Sequence, residues 1–199
     1  MNAQPVIILG AGGHACVLIE LLKSLRRTIL GIVAPDKSLL MNYPDIPYLG
    51  GDEYIDHCSP ADVKLVNGIG AISAQKNQVR HLIYQRFKAK GFGFDTLIHP
   101  SAVIASTVTV GEGTQLMART VIQPNVIIGA NTIINTGACI DHDCKLGDAV
   151  HVAPGAVLSG GVSVGDYAFI GVGAAVIQGI TISSHAMVRA GRTVVKHVV

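Results

Sequence analysis

The residues of this chain best equipped for chemistry stand in one short run, Asp141-His142-Asp143. An imidazole between two carboxylates suits a general base: a neighbouring acid fixes which ring nitrogen carries the proton and supports the cation that forms when the other accepts one. His151 follows nine residues later. A second chemical feature, Gly10-Ala11-Gly12-Gly13-His14-Ala15, lies between an apolar run and a helical pattern. A glycine turn feeding a helix N-terminus offers free N–H groups and the positive end of the helix dipole, which together favour phosphate. Ala15 stands at the third-glycine position of the dinucleotide fingerprint, and the acid expected after the second strand is displaced to Asp36, which argues against NAD. Cys16, Cys58, Cys139 and Cys144 have no CxxC spacing and read as reduced thiols. His57, His81, His185 and His197 lack a partner pattern and read as surface residues, and His99, before Pro100, reads as structural.

The elements that must position these groups follow two different patterns. Stepping by six from Ile104 to Val188 meets an aliphatic residue every time, fifteen in all. Two positions before each stands a small or modestly branched residue such as Ala102, Thr114 or Ala138, with Ile180 the exception. Neither a helix nor a flat sheet has a period of six; a β-helix built from hexapeptide sides does. Three hexads close one triangular coil, so fifteen give five coils, with strands about 4.8 Å apart. Large aliphatics then stack along the axis and small residues are expected at the corners. The Asp-His-Asp run directly follows the inward Ile140, so it must lie on an outer surface or a corner of the coil.

The first half is expected to be a small Rossmann-like α/β domain with a parallel sheet. Val6-Ile7-Ile8-Leu9 reads as a strand buried on both faces, followed by a helix with Val17, Leu18, Leu21, Leu22 and Leu25 on one side and a second strand, Ile29-Leu30-Gly31-Ile32-Val33. A further strand is expected over residues 63–67, and a helix over residues 77–90 with Val79, Leu82, Ile83 and Phe87 inward. Eighteen charged residues lie in positions 1–100 and ten beyond, which places the boundary near residue 100: an α/β domain over 1–98 and an all-β parallel β-helix over 99–199.

Composition bounds the function. Charged residues are 14% of the 199-residue chain, against about 25% for soluble domains, and an aliphatic, charge-poor chain is not disordered. A net charge of +2 makes no case for nucleic acid or an anionic membrane surface. The longest apolar stretch, residues 6–22, is broken by Gly10, Gly12, Gly13, His14 and Glu20 and has no basic leader, so neither an integral membrane segment nor a signal peptide is expected, and the expected compartment is the cytoplasm.

The glycine loop, the Leu97-Ile98-His99-Pro100-Ser101-Ala102 lead-in to the repeat, the Asn135-Thr136 pair, the Asp-His-Asp cluster and His151 in His-Val-Ala-Pro-Gly-Ala resemble one family over nearly the whole chain. It is the bacterial family of sialic acid O-acetyltransferases and nucleotide-amino-sugar N-acetyltransferases, members of the hexapeptide-repeat acyltransferases. The resemblance implies a left-handed coil, a homotrimer, acetyl-CoA as acyl donor and no metal. It implies His142 as general base, with Asp143 orienting it. Asn135 and His151 would line the donor and acceptor site, and the backbone around Gly160 would meet the thioester. Gly10, Gly12, Gly13, His14 and Asp36 would lie near the nucleotide sugar, expected to be a UDP-linked 4-amino-4,6-dideoxy sugar destined for a surface glycan.

Three other readings compete. Sugar O-acetylation would use the same base and donor. A zinc hydratase would need three histidines between subunits, whereas only His142 and His151 lie suitably in the repeat. A non-catalytic solenoid that scaffolds a partner would leave the acid-flanked histidine without a purpose.

Overall fold

The structure is a computed structural model and describes residues 4–36, 43–70 and 73–199. It divides into two compact units, one of Met1–Gly70 with Leu82–Asp95, the other of Ala71–His81 with Thr96–Val199.

The first unit holds a four-stranded, all-parallel sheet of β1 (Val6–Leu9), β2 (Ile29–Val33), β3 (Tyr48–Gly50) and β4 (Lys64–Asn67), in the order β3-β2-β1-β4. β1 is buried along its whole length because strands flank it on both sides, as its unbroken apolar run requires. The helix α1 (Gly13–Ser24) returns the chain from β1 to β2 and buries Ala15, Leu18, Ile19, Leu21 and Leu22. Val17, expected on the inward side, is 47% exposed; Ile19 takes that place. β3 and the 3-10 helix Asp52–His57 go beyond the expected elements.

The second unit is the solenoid. Its first face stacks β5 (Leu97–Ile98), β8 (Gln115–Leu116), β11 (Ile133–Ile134), β14 (His151–Val152), β17 (Phe169–Ile170) and β20 (Met187–Val188). The second stacks β6 (Val103–Ile104), β9 (Val121–Ile122), β12 (Cys139–Ile140), β15 (Val157–Leu158), β18 (Ala175–Val176) and β21 (Thr193–Val194). The third stacks β7 (Thr109–Val110), β10 (Ile127–Ile128), β13 (Lys145–Leu146), β16 (Ser163–Val164) and β19 (Thr181–Ile182). All pairs are parallel with an 18-residue register, as in Ile134 opposite Val152, and the coil is a left-handed β-helix. The aliphatic column from Leu116 to Val194 fills its interior. One hexad more at each end, β5 and β21, joins the fifteen found by stepping.

The corners differ from expectation in one respect. The small residues, such as Thr120, Ala138 and Cys144, are buried inside the prism beside the corner. The tight turn itself falls on the residue just before each of them. That residue has a positive φ at every sixth position from Gly113 to Gly191, including Arg119, Asn125, Asn131, Asp143, Ala149, Tyr167 and His185. Glycine and asparagine accept this conformation most readily.

The helix α2 (Ala74–Ala89) buries Phe87 as expected but turns Val79 and Leu82 outward. Val79 and Leu82 are 48% and 56% exposed, whereas Asn77, Arg80, His81, Tyr84 and Phe87 are buried. The polar part of that face docks on the solenoid: Asn77 donates to the carbonyls of Tyr167 and Ala168, at 3.2 and 3.0 Å, and Arg80 to that of Asn131 at 3.4 Å. His81, expected at the surface, packs edge-on against Tyr167. The first half of α2 thus belongs with the solenoid, and the boundary expected at 98–99 also falls behind β5, the strand that opens it.

Candidate active site

His142 occupies the corner between the second and third faces, next to the left-handed residue Asp143, whose φ is 59°. The coil path explains this: Ile140 is buried inside, and the chain must turn before Cys144 re-enters the core. Asp143 Oδ2 lies 2.7 Å from His142 Nδ1, and Asp141 Oδ1 accepts the His142 backbone N–H at 2.8 Å. With Asp143 accepting from Nδ1–H, the neutral ring carries its lone pair on Nε2, the nitrogen available to take a proton. The hydrogen bond to Asp143, and then the charge of Asp141, raise the His142 pKa above its ordinary value. The same bond, with a second from Asn125, lowers that of Asp143.

Gly160 stands one coil on, stacked against His142. A Cβ there would lie 2.6 Å from both Cε1 and Nε2 of the imidazole, so the ring has this place only because residue 160 has no side chain. On the second face beside this corner, a groove of about 270 Å³ is lined by Gln123, Cys139, Asp141, Val157 and Ser159 among others.

His151 and Asn135 meet elsewhere. His151 projects from the first face, 6% exposed, with Phe169 edge-on at 5.1 Å, and its Nε2 is 3.2 Å from Asn135 Nδ2. Asn135 also accepts the Thr136 N–H at 2.8 Å, which fixes its amide orientation. In a triangular coil the first face lies opposite the corner that bears His142, as nine residues, half of an 18-residue coil, require. A single chain therefore brings Asn135 to His151 and Gly160 to His142, but does not bring the two pairs together.

In the first unit the glycine loop runs out of β1 where the strand order reverses between β1 and β4, the position at which parallel sheets bind ligands. Gly10 has φ 94° and donates to Val33 O at 2.7 Å, a turn that an L side chain would strain. Gly12 caps α1 without a side-chain bond, and a Cβ on Gly12 or Gly13 would meet nothing within 4 Å, which leaves their surroundings open. The segment after β4 lies alongside: Gly70 leaves only 3.0 Å for a Cβ against that of His14, and Asn67 Oδ1 accepts the Ile69 N–H at 3.2 Å. Buried Asn67 escaped the sequence reading, since no motif marks it. Asp36 follows β2 and is exposed, on a segment tied by the Tyr48 hydroxyl to Ala34 O at 2.8 Å.

Comparison with known proteins accords with both units. Residues 5–87 match the PglD N-terminal domain, and residues 107–142 match the bacterial transferase hexapeptide (six repeats). PerB from Caulobacter crescentus, solved in complex with CoA and GDP-perosamine, is 40% identical, covering 98% of this chain and 90% of that one, with a TM-score of 0.89. The chain belongs to the hexapeptide acyltransferase family. Another member, the acetyltransferase domain of PglB from Neisseria gonorrhoeae FA1090, is 32% identical over 99% of this chain and 94% of its own, with a TM-score of 0.89, and has also been solved with acetyl coenzyme A. The UDP-N-acetylbacillosamine N-acetyltransferase of Bacillus subtilis (strain 168) is 38% identical over 117 residues, 57% of this chain; the match spans about half, 51%, of that relative's length. Among the described residues, no group of three or more His, Cys, Asp or Glu side chains is placed to hold a metal ion, and no helix is long and apolar enough to cross a membrane.

Proposed function

We propose that this acyltransferase moves the acetyl group of acetyl-CoA to the amine of a nucleotide-linked amino sugar, with His142 as general base. The observation that carries this is the 2.7 Å His142–Asp143 pair at a corner with a side-chain-free Gly160 beneath the ring. The sugar amine attacks the thioester carbonyl, and Nε2 of His142 takes the proton that nitrogen sheds. Asp143 holds Nδ1–H and supports the imidazolium. The tetrahedral intermediate collapses, the carbon–sulfur bond breaks, and the imidazolium returns its proton to the departing thiolate. The Gly160 backbone N–H and the Asn135 amide Nδ2 are the donors for the oxyanion, and His151, whose Nε2 accepts from that same amide, holds it in place. The reaction needs no covalent intermediate on the enzyme.

Gly10, Gly12, Gly13 and His14, with α1 behind them, bind the diphosphate of the nucleotide, and Asp36 contacts its nucleoside end. This binding role rests on the loop geometry and on the nucleotide-sugar complex of PerB. The relatives divide between GDP- and UDP-linked names, so the acceptor panel contains both.

The working enzyme is a homotrimer of the cytoplasm. Because His142 and the Asn135–His151 pair lie on opposite sides of one solenoid, a site containing both requires a second copy. Val103, Ile127 and Val157, 64%, 48% and 43% exposed on the outer faces beside the His142 corner, give that copy an apolar surface to cover. Light scattering coupled to size exclusion should return three chains.

The test is a panel of UDP- and GDP-linked 4-amino sugars with acetyl-CoA, reading released thiol and product mass. Amide formation with an amino sugar is expected. Thiol release only with hydroxylated sugars lacking the amine would replace this reading by O-acetylation.

A further inference from the structure

We propose that Asn125 is a positioning residue that holds Asp143, and through it His142, in the working orientation. The inference rests on His142 being the base.

Asp143 has two equivalent carboxylate oxygens on a side chain that is 57% exposed, and the terminal rotation of an aspartate is soft. Nothing in the His142–Asp143 pair alone keeps one oxygen on the ring. Asn125 supplies the second tether: its Nδ2 donates to Asp143 Oδ1 at 3.0 Å, while Oδ2 faces Nδ1 of His142. Asn125 is itself anchored, since its backbone N–H donates to Thr107 Oγ1 at 2.9 Å. The three residues Thr107, Asn125 and Asp143 stand 18 residues apart in one corner column, so successive coils build a ladder ending at the imidazole. The donated hydrogen bond also favours the ionised carboxylate, the form that accepts from His142.

A competing explanation is purely conformational. Asn125 has φ 63°, and asparagine suits a left-handed corner. On that explanation glycine would serve equally well, as Gly161 and Gly179 do in the same column. Asn125→Gly therefore separates the two ideas, because it keeps the corner and deletes the amide. Asn125→Asp keeps the volume and the corner tolerance but replaces the donor by a second carboxylate facing Asp143.

Two quantities are read for each variant: kcat and KM for acetyl transfer to the amino sugar that the wild type uses, and the His142 imidazole pKa by NMR titration without substrate. In Asn125→Gly the His142 pKa is expected to fall towards the ordinary imidazole value and kcat to drop about fivefold, the worth of one ordinary hydrogen bond, with KM unchanged. Asn125→Asp is expected to lose at least as much kcat. Wild-type kcat and an unmoved His142 pKa in Asn125→Gly, alongside an inactive His142→Ala, would overturn the positioning role and leave the base assignment intact. Turnover surviving in His142→Ala would sink the base assignment itself.

Discussion

Replacing Gly160 by alanine should separate catalysis from stability. The added Cβ would stand 2.6 Å from Cε1 and Nε2 of His142, where ordinary contact begins near 3.4 Å, so the ring must retreat by about 1 Å. Gly160 does not have the left-handed φ of its neighbour Gly161, so alanine adds no backbone strain there. His142 is 59% exposed and can swing into solvent without opening a cavity, so the urea midpoint should barely move. Catalysis cannot tolerate that swing. A displacement of about 1 Å costs on the order of 10²-fold, within the 10²- to 10⁴-fold that a general base supplies. Steady-state thiol release from acetyl-CoA with a saturating amino sugar should therefore show kcat lower by about 10²-fold, with far-ultraviolet dichroism and assembly unchanged. Wild-type kcat in Gly160→Ala would refute the placement of the base at this corner.

Other perturbations have equally definite signs. The base must be neutral to act, and its pKa is raised chiefly by Asp143, so activity should rise with pH through a value above the ordinary imidazole value of about 6.5. In Asp143→Asn that acidic limb should move to lower pH while kcat at high pH falls; a limb that stays in place would show that Asp143 does not set it. Gly12→Asp should stabilise the fold by a few tenths of a kcal/mol as a helix cap in open space, yet raise KM for the nucleotide sugar at least tenfold by placing a carboxylate before the diphosphate. An unchanged KM would remove the phosphate from this loop. Arg80→Ala should cost about 2–4 kcal/mol by urea denaturation, since it empties the space of a fully buried side chain and deletes the bond to Asn131 O. Burial already pulls the Arg80 pKa down to about 9, so Arg80→Met, which keeps volume without charge, should recover much of the loss. A Met variant as unstable as the Ala variant would argue against that balance.

Much of this was legible in the sequence, for reasons that particular residues make clear. His142 could be found because a six-residue repeat needs no histidine there, and Ile140 before it fixed the side of the chain on which it must lie. The spacing of His142 and His151 also contained their separation: nine residues is half of an 18-residue coil, which puts them on opposite sides of one chain. Val6 to Leu9 announced a central strand by being apolar throughout. The buried face of α2 was not legible. Asn77 and Arg80 are buried because the carbonyls of Tyr167, Ala168 and Asn131 receive them, and these acceptors stand together only once the solenoid has coiled. Asn125 was hidden in the same way. Its partner is 18 residues distant, and a left-handed corner offers an independent reason for an asparagine.

The most direct test is to compare wild-type protein with His142→Ala in acetyl transfer from acetyl-CoA to the amino sugar selected from the panel, following free thiol and N-acetylated product together. A loss of at least 10³-fold in kcat, with an unchanged oligomer and unchanged dichroism, is the expected result. Amide product formed by His142→Ala at the wild-type rate would contradict the central claim that this histidine takes the proton from the attacking amine.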